Sequence, residues 1–318
     1  MSDFFAEIRT ACARVRERAR HVRVDADAFA RWIDEEAVAP PTPSQDPAHR
    51  AFPDADTTLA YVITMDAINF GSGWFPHLRK RPGKSGYLSL SARLYEHFEA
   101  AGAWSAADLR TLDVARCNRI FEQEGVAEVQ PLMELFARAL HDLGSWLETH
   151  HAGSFRRAVE AAGGRASTLA ADLAQMPFYR DVASYDDFAV PLYKRAQITA
   201  SDLAAAFEGK GLGAFDDLDA LTIFADNLVP HVLRCSGVLV YDEALASRIA
   251  AEEQLEVGSP EEVEIRAVAL DVVESAVAEL RARGVTLTAQ QLDTALWNRG
   301  QRPEIKAHPR HRARSYYY

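Results

Sequence analysis

Asp226 stands in LTIFADNLVPHVLRCSG, between apolar residues and just ahead of Pro230, a residue suited to the first turn of a helix. A helix start favours negative charge, and a fixed carboxylate there can stabilise a developing cation, such as a sugar losing its leaving group. A plain N-cap uses the same residue type at the same place, so both readings stay open. Phe224 and Asn227 flank Asp226. His231, four residues beyond Asn227, suits packing or hydrogen bonding better than acid catalysis.

Three further segments concentrate polar and aromatic residues. In MPFYRDV and VPLYKRAQ, Tyr179, Arg180, Tyr193, Lys194 and Arg195 cluster in an otherwise acidic chain. Adjacent Lys194 and Arg195 at a helix entry suit a phosphate, although salt bridges to Asp181, Asp186 and Asp187 would explain them as well. In TMDAINFGSGWFP, two glycines flank Ser72 and would let backbone amides approach a ligand, with Asp66, Asn69 and Phe70 close by. A core helix ending in a Gly-rich turn with packed aromatics is the competing reading. The end of the chain, HPRHRARSYYY, is basic through His308, Arg310, His311, Arg312 and Arg314. Three tyrosines ending at Tyr318 argue for a segment docked on the body. Glu262, Glu264 and Glu274 are candidate charge partners, or members of a solvated helix face.

The elements that must hold these groups read as helices. Ile265, Val268, Val272, Ala276 and Leu280 fall at steps of three and four within 264–284. Ser259, Pro260 and Glu262 predict its capped start and Gly284 its end. Thr288 with Gln291 opens another helix, and Thr199 with Asp202 a third, stopped by Gly209. Helices are also expected over about 132–150 and up to Gly102 in LSLSARLYEHFEAAG. The only strong strand signal is GVLVY at 237–241, with a small hairpin expected there or near KSGYLSL. The Pro-rich residues 38–54 read as a surface loop or linker. The expected fold is mainly α: an N-terminal helical element and loop over 1–60, then a helical body over 61–318 that could divide into two lobes with the site between them.

Composition limits the chemistry. The 318 residues carry 35 Lys and Arg against 46 Asp and Glu, a net charge of −11, which disfavours a nucleic-acid-holding chain. A hydrophobic share of 48% with 25% charged residues is that of a globular protein. Cys12, Cys117 and Cys235 have no CxxC spacing and read as reduced thiols. No signal-peptide or membrane-span pattern is found, so a cytoplasmic protein is expected. GxGxxG, Walker, HExxH, GxSxG and HxE…PCxxC patterns are absent, and His150–His151 lacks a third ligand. No metal or cofactor is expected.

The strings INFGSGWFP, SGYLSL, FYRDV, LYKRAQI, EGKG, FADNLVPHVL, EVEIRA, the ALW before Asn298 and the closing HRARSYYY resemble the queuosine salvage family, in order from about residue 60 onward. The resemblance implies a helical fold similar to helix-hairpin-helix DNA glycosylases. It also implies hydrolysis of queuosine 5′-monophosphate to queuine and ribose 5-phosphate, so that queuine can be salvaged into tRNA. The family's catalytic carboxylate matches Asp226, and its phosphate-side lysine matches Lys194. Asn69, Ser72 and Asn227 are then candidates to hydrogen-bond the 7-deazaguanine base, Phe70 to stack on it, and Asp66 to face its cationic amine. Arg195, His311 and Tyr318 are candidates to assist Lys194. Tyr193, Phe224 and His231 complete the expected substrate-binding set. The expected partners are the nucleotide and queuine, with no stable nucleic acid and no membrane. A non-catalytic queuine, nucleobase or tRNA-binding protein of the same shape is the alternative.

Overall fold

The computed structural model describes residues 4–37 and 50–318. It is 62% helical, and its strands form three two-stranded pairs among the described residues, which agrees with the mainly α expectation. The chain groups into two compact units. One comprises the described part of Met1–Gln45 with Asp181–Lys194 and Asp219–Arg314. The other comprises the described part of Asp46–Arg180 with Arg195–Leu218 and Ser315–Tyr318.

The first unit is organised by the helix Pro260–Ala282. Its residues Ile265, Val268, Val272, Ala276 and Leu280 are all fully buried, as the three-and-four spacing requires. The helix Phe4–Arg18 lies against it and buries Phe5, Ile8, Cys12 and Val15 on one face. Strand Val22–Val24 pairs antiparallel with Leu239–Tyr241, the latter within the expected GVLVY run. Helix Val229–Cys235, which follows Asp226, packs on helix Ala289–Gly300. That approach needs a small residue at Gly300, because a Cβ there would come within 2.7 Å of Leu228 Cγ.

The second unit is built on the helix Gln130–His151, which buries Leu132, Met133, Phe136, Leu140, Leu143 and Leu147. Helix Ala55–Ala67 is buried on nearly every side, from Thr58 to Ala67. It ends in the Gly-rich turn, where Gly71 has φ +96° and a Cβ would strike Leu132 Cδ1 at 2.4 Å. The positive φ strains any other residue at Gly71, and a Cβ would also require the end of the Leu132 side chain to shift.

Several expectations are corrected. The hairpin is not at KSGYLSL, which is helical from Gly86 under a Ser85 cap. It lies instead at Val182–Tyr185 and Phe188–Pro191, around a two-residue turn whose Asp186 has φ +49°. The helix expected from Thr199 starts at Lys194, because distant Asp181 accepts the Lys194 amide at 3.2 Å. Gly209 at φ +68° follows its end as expected. Thr288 and Gln291 form a complete capping box. At Ser259 only half the box forms: Ser259 Oγ accepts from the Glu262 amide, but Glu262 turns inward to Gly258 N and Arg266. Most of the Pro-rich loop, residues 38–49, lies outside the described residues.

Candidate active site

Asp226 is half-buried, and its side chain straddles the start of helix Val229–Cys235. Oδ1 accepts from the amides of Leu228 at 2.7 Å and Val229 at 3.1 Å. Oδ2 has no hydrogen-bond partner among the described residues. The carboxylate therefore serves the helix start through one oxygen, which fixes the orientation of the group.

The surroundings of Asp226 are held from three directions. The Phe224 amide donates to Asp293 Oδ1 at 2.9 Å. The Ala225 carbonyl accepts from Arg266 Nε at 2.9 Å. The Asn227 side chain donates to the His311 carbonyl at 3.3 Å, which brings the 310–311 segment alongside. Arg310 in that segment is half-buried and makes no hydrogen bond or ion pair among the described residues. Burial draws its guanidinium below the ordinary value, and the charge of Asp226 opposes that shift. Sequence reading assigned Arg310 only to a basic tail, and nothing local distinguished it from Arg312 or Arg314.

Lys194 is buried at the first position of its helix, directly after Tyr193, which holds φ +46° and stacks on Phe4 at 4.9 Å between centroids. Left-handed backbone at an aromatic residue is strained, so the turn into Lys194 must be held from outside.

Asp226, Tyr193, Lys194, Phe224, Asn227, His231 and His311 all belong to the first unit. Asp66, Asn69, Phe70, Ser72, Arg195 and Tyr318 belong to the second. There, Arg195 is 0% exposed and donates to the carbonyls of Asp66 (3.3 Å), Ala67 (2.6 Å), Phe178 and Tyr316 (2.8 Å). Its guanidinium carbon also lies 4.8 Å from the Phe70 ring centre and 4.7 Å from that of Tyr179. The guanidinium is engaged by backbone carbonyls and aromatic faces of the protein itself. Phe70 is likewise buried, between Phe136, Phe178 and Arg195. Asp66 is buried and accepts from Asn69 Nδ2 at 3.4 Å. Asn69 and Ser72 are half-buried. Tyr318 is buried, and its carbonyl accepts from the Gly71 amide at 2.9 Å. The terminal tyrosine segment is thus docked, as expected.

His231 donates from Nε2 to the Ile305 carbonyl at 3.1 Å. Burial pushes its imidazole down to about 4, and that of His311 down to about 3. Both are therefore neutral at physiological pH, so His311 can bring a hydrogen bond but no charge to a phosphate. An unfolded chain takes up these protons near the ordinary value of about 6.5. The unfolded state then binds more protons than the folded one below that value, so stability is full above about pH 6.5 and is lost as pH falls toward about 4. Urea midpoints are expected to fall over this window, and more shallowly in His311→Gln. An unchanged slope in that variant would contradict the assignment.

Among the described residues no group of three or more His, Cys, Asp or Glu is arranged to hold a metal ion. No described helix is long and apolar enough to cross a membrane. Cys12 and Cys117 are buried, and burial pushes both thiols up, Cys117 to about 12.

The first unit thus holds a half-buried carboxylate fixed by two helix-start amides and a buried lysine. The family model described as queuosine salvage protein matches residues 49–318. A relative from Sphaerobacter thermophilus is 40% identical over 97% of each chain. One from Mus musculus is 31% identical over 83% of this chain and 82% of its own. A third, from Dictyostelium discoideum, is 38% identical over 57% of each chain. All three are named queuosine 5′-phosphate N-glycosylase/hydrolase. The chain belongs to the queuosine salvage protein family.

Proposed function

We propose that this protein hydrolyses the N-glycosidic bond of queuosine 5′-monophosphate, releasing queuine and ribose 5-phosphate for queuine salvage. Family membership and the printed activity of relatives matched over nearly the whole chain support the substrate. The observation in this chain that carries the chemistry is Asp226, with one carboxylate oxygen committed to two amides and the other uncommitted.

As the bond between the base nitrogen and the anomeric carbon lengthens, its electron pair passes to the base and positive charge gathers on the ribose. Oδ2 of Asp226 stabilises that charge most where it is largest, in the transition state. Oδ1 needs no reorganisation, because Leu228 and Val229 already hold it. Water supplies the hydroxyl to the anomeric carbon and a proton to the departing base. A 7-deazaguanine has no N7 to protonate, so hydrogen bonds at its other edges must support the leaving charge. Asn227, in the same unit as Asp226, is proposed for one of these bonds. The phosphate is proposed to meet Lys194, with Arg310 as the second cation in place of Arg195.

The reading is tested by comparing queuosine 5′-monophosphate with queuosine as substrates, in the wild type, Lys194→Met and Arg310→Gln. The wild type is expected to prefer the nucleotide, and each variant to lose that preference by about tenfold or more, the scale of one charge-assisted contact. A wild type that binds the nucleotide and cleaves neither compound would overturn the proposal in favour of a binding protein.

A further inference from the structure

The helix Pro260–Ala282 carries a buried charge cluster that the reaction itself does not call on. Arg266 is 2% exposed. Its Nη1 and Nη2 pair with both oxygens of Asp181 at 3.1 and 2.6 Å, and its Nη1 also lies 3.5 Å from Glu262. Its Nε donates to the carbonyl of Ala225, the residue directly before Asp226.

Asp181 reaches the other side of the site. Three successive amides converge on it: Leu192 and Tyr193 donate to its carbonyl at 2.9 and 3.2 Å, and Lys194 donates to its carboxylate at 3.2 Å. These are the residues around the strained turn at Tyr193. Two carboxylates around one guanidinium leave an excess buried negative charge. Both acids sit where a helix start offsets it: Glu262 in the first turn of its own helix, and Asp181 at the start of the Lys194 helix.

We propose that the Arg266–Asp181 pair is a positioning device that fixes the Asp226 segment and the Tyr193–Lys194 turn against each other. This deepens the reading of Asp226 and Lys194 given above and rests on it for its catalytic consequence. A buried ion pair contributes little net stability compared with apolar replacements, so its value here lies in geometry. The pair spans 85 residues of sequence and links the two segments by three hydrogen-bonded steps: Ala225 to Arg266, Arg266 to Asp181, and Asp181 to Lys194. Arg266 acts through others and is not itself placed against the substrate.

Arg266→Lys tests the device. An ammonium keeps the charge beside Asp181 and Glu262 but cannot hold both Asp181 oxygens and donate to Ala225 as well. The first readout is amide hydrogen exchange, which does not depend on activity. Exchange is expected to quicken about tenfold at both Leu192–Lys194 and Leu228–Val229, with the helix Gln130–His151 unchanged. Quickening confined to one segment, or to neither, overturns the proposal. The second readout is kinetic: kcat for queuosine 5′-monophosphate is expected to fall at least tenfold with KM moving less than about threefold. An active wild type with an equally active Arg266→Lys sinks the positioning device alone. An inactive wild type sinks the proposed reaction and leaves the exchange result to judge the device. Should Arg266→Lys fail to fold, Asp181→Asn carries both readouts by the same criteria, since its amide oxygen still accepts from Lys194.

Discussion

Asp226→Asn is expected to release queuine from queuosine 5′-monophosphate at least about 10³-fold more slowly than the wild type, with its fold and its affinity for the nucleotide retained. The substitution separates the two jobs of the side chain. An asparagine oxygen can still accept from the Leu228 and Val229 amides, so the start of helix Val229–Cys235 survives. What is lost is the negative charge that would face the ribose cation. Because the charge counts most in the transition state, the loss belongs in kcat and not in binding. Asp226→Ala would remove the cap as well, and its lower stability would blur the result. Product release measured under single-turnover conditions separates chemistry from product departure. A fall of less than about tenfold in Asp226→Asn would show that the charge is not central to the reaction.

Glu264→Ala should be the most destabilising single change on the helix Pro260–Ala282. The Glu264 carboxylate is fully buried and accepts from the amides of Arg20 (3.1 and 3.0 Å), His21 (2.7 Å) and Val22 (3.0 Å). It also accepts from the hydroxyl of Tyr185 at 2.7 Å, which joins the hairpin to the same point. Truncation strands these donors, some of them away from water, and opens a cavity beside them. The expected cost is about 3–5 kcal/mol. Glu264→Gln should be intermediate, since its amide group turns two donors toward other donors. Glu279→Ala is the control: that carboxylate is exposed and pairs, among the described residues, with Arg283 one turn on, and its loss should leave the urea midpoint unchanged. Equal midpoints for Glu264→Ala and Glu279→Ala would refute the anchoring role.

What the sequence made legible was what is encoded locally. The helix around Val268 and Val272 follows from apolar spacing, and the Thr288–Gln291 box from two residues three apart. Asp226 stood out because a carboxylate just ahead of Pro230 is a local pattern. The hairpin at Asp186–Asp187 was also within reach, since aromatic and β-branched residues flank a two-residue turn, but its signal was read only as acidic partners for Lys194 and Arg195. Lys194 and Arg195 were read as one basic pair because they are adjacent in sequence. Successive residues on a helix point about 100° apart, and Arg195 accordingly serves four backbone carbonyls in the second unit. Glu262 and Glu264 sit among apolar residues on a helix face, and nothing local distinguishes an inward carboxylate from an outward one. Their roles depend on partners far away in sequence: Arg266 with Asp181, and the amides of 20–22. The early start of the Lys194 helix has the same origin, a cap supplied by Asp181 and not by a neighbour.

The central claim is that this chain breaks the bond between queuine and ribose. Its most direct test is to incubate the wild-type protein with queuosine 5′-monophosphate and measure both products by mass over time. Equal amounts of free queuine and ribose 5-phosphate, accumulating over many turnovers, are the predicted result. Saturable binding of the nucleotide with neither product formed would contradict it.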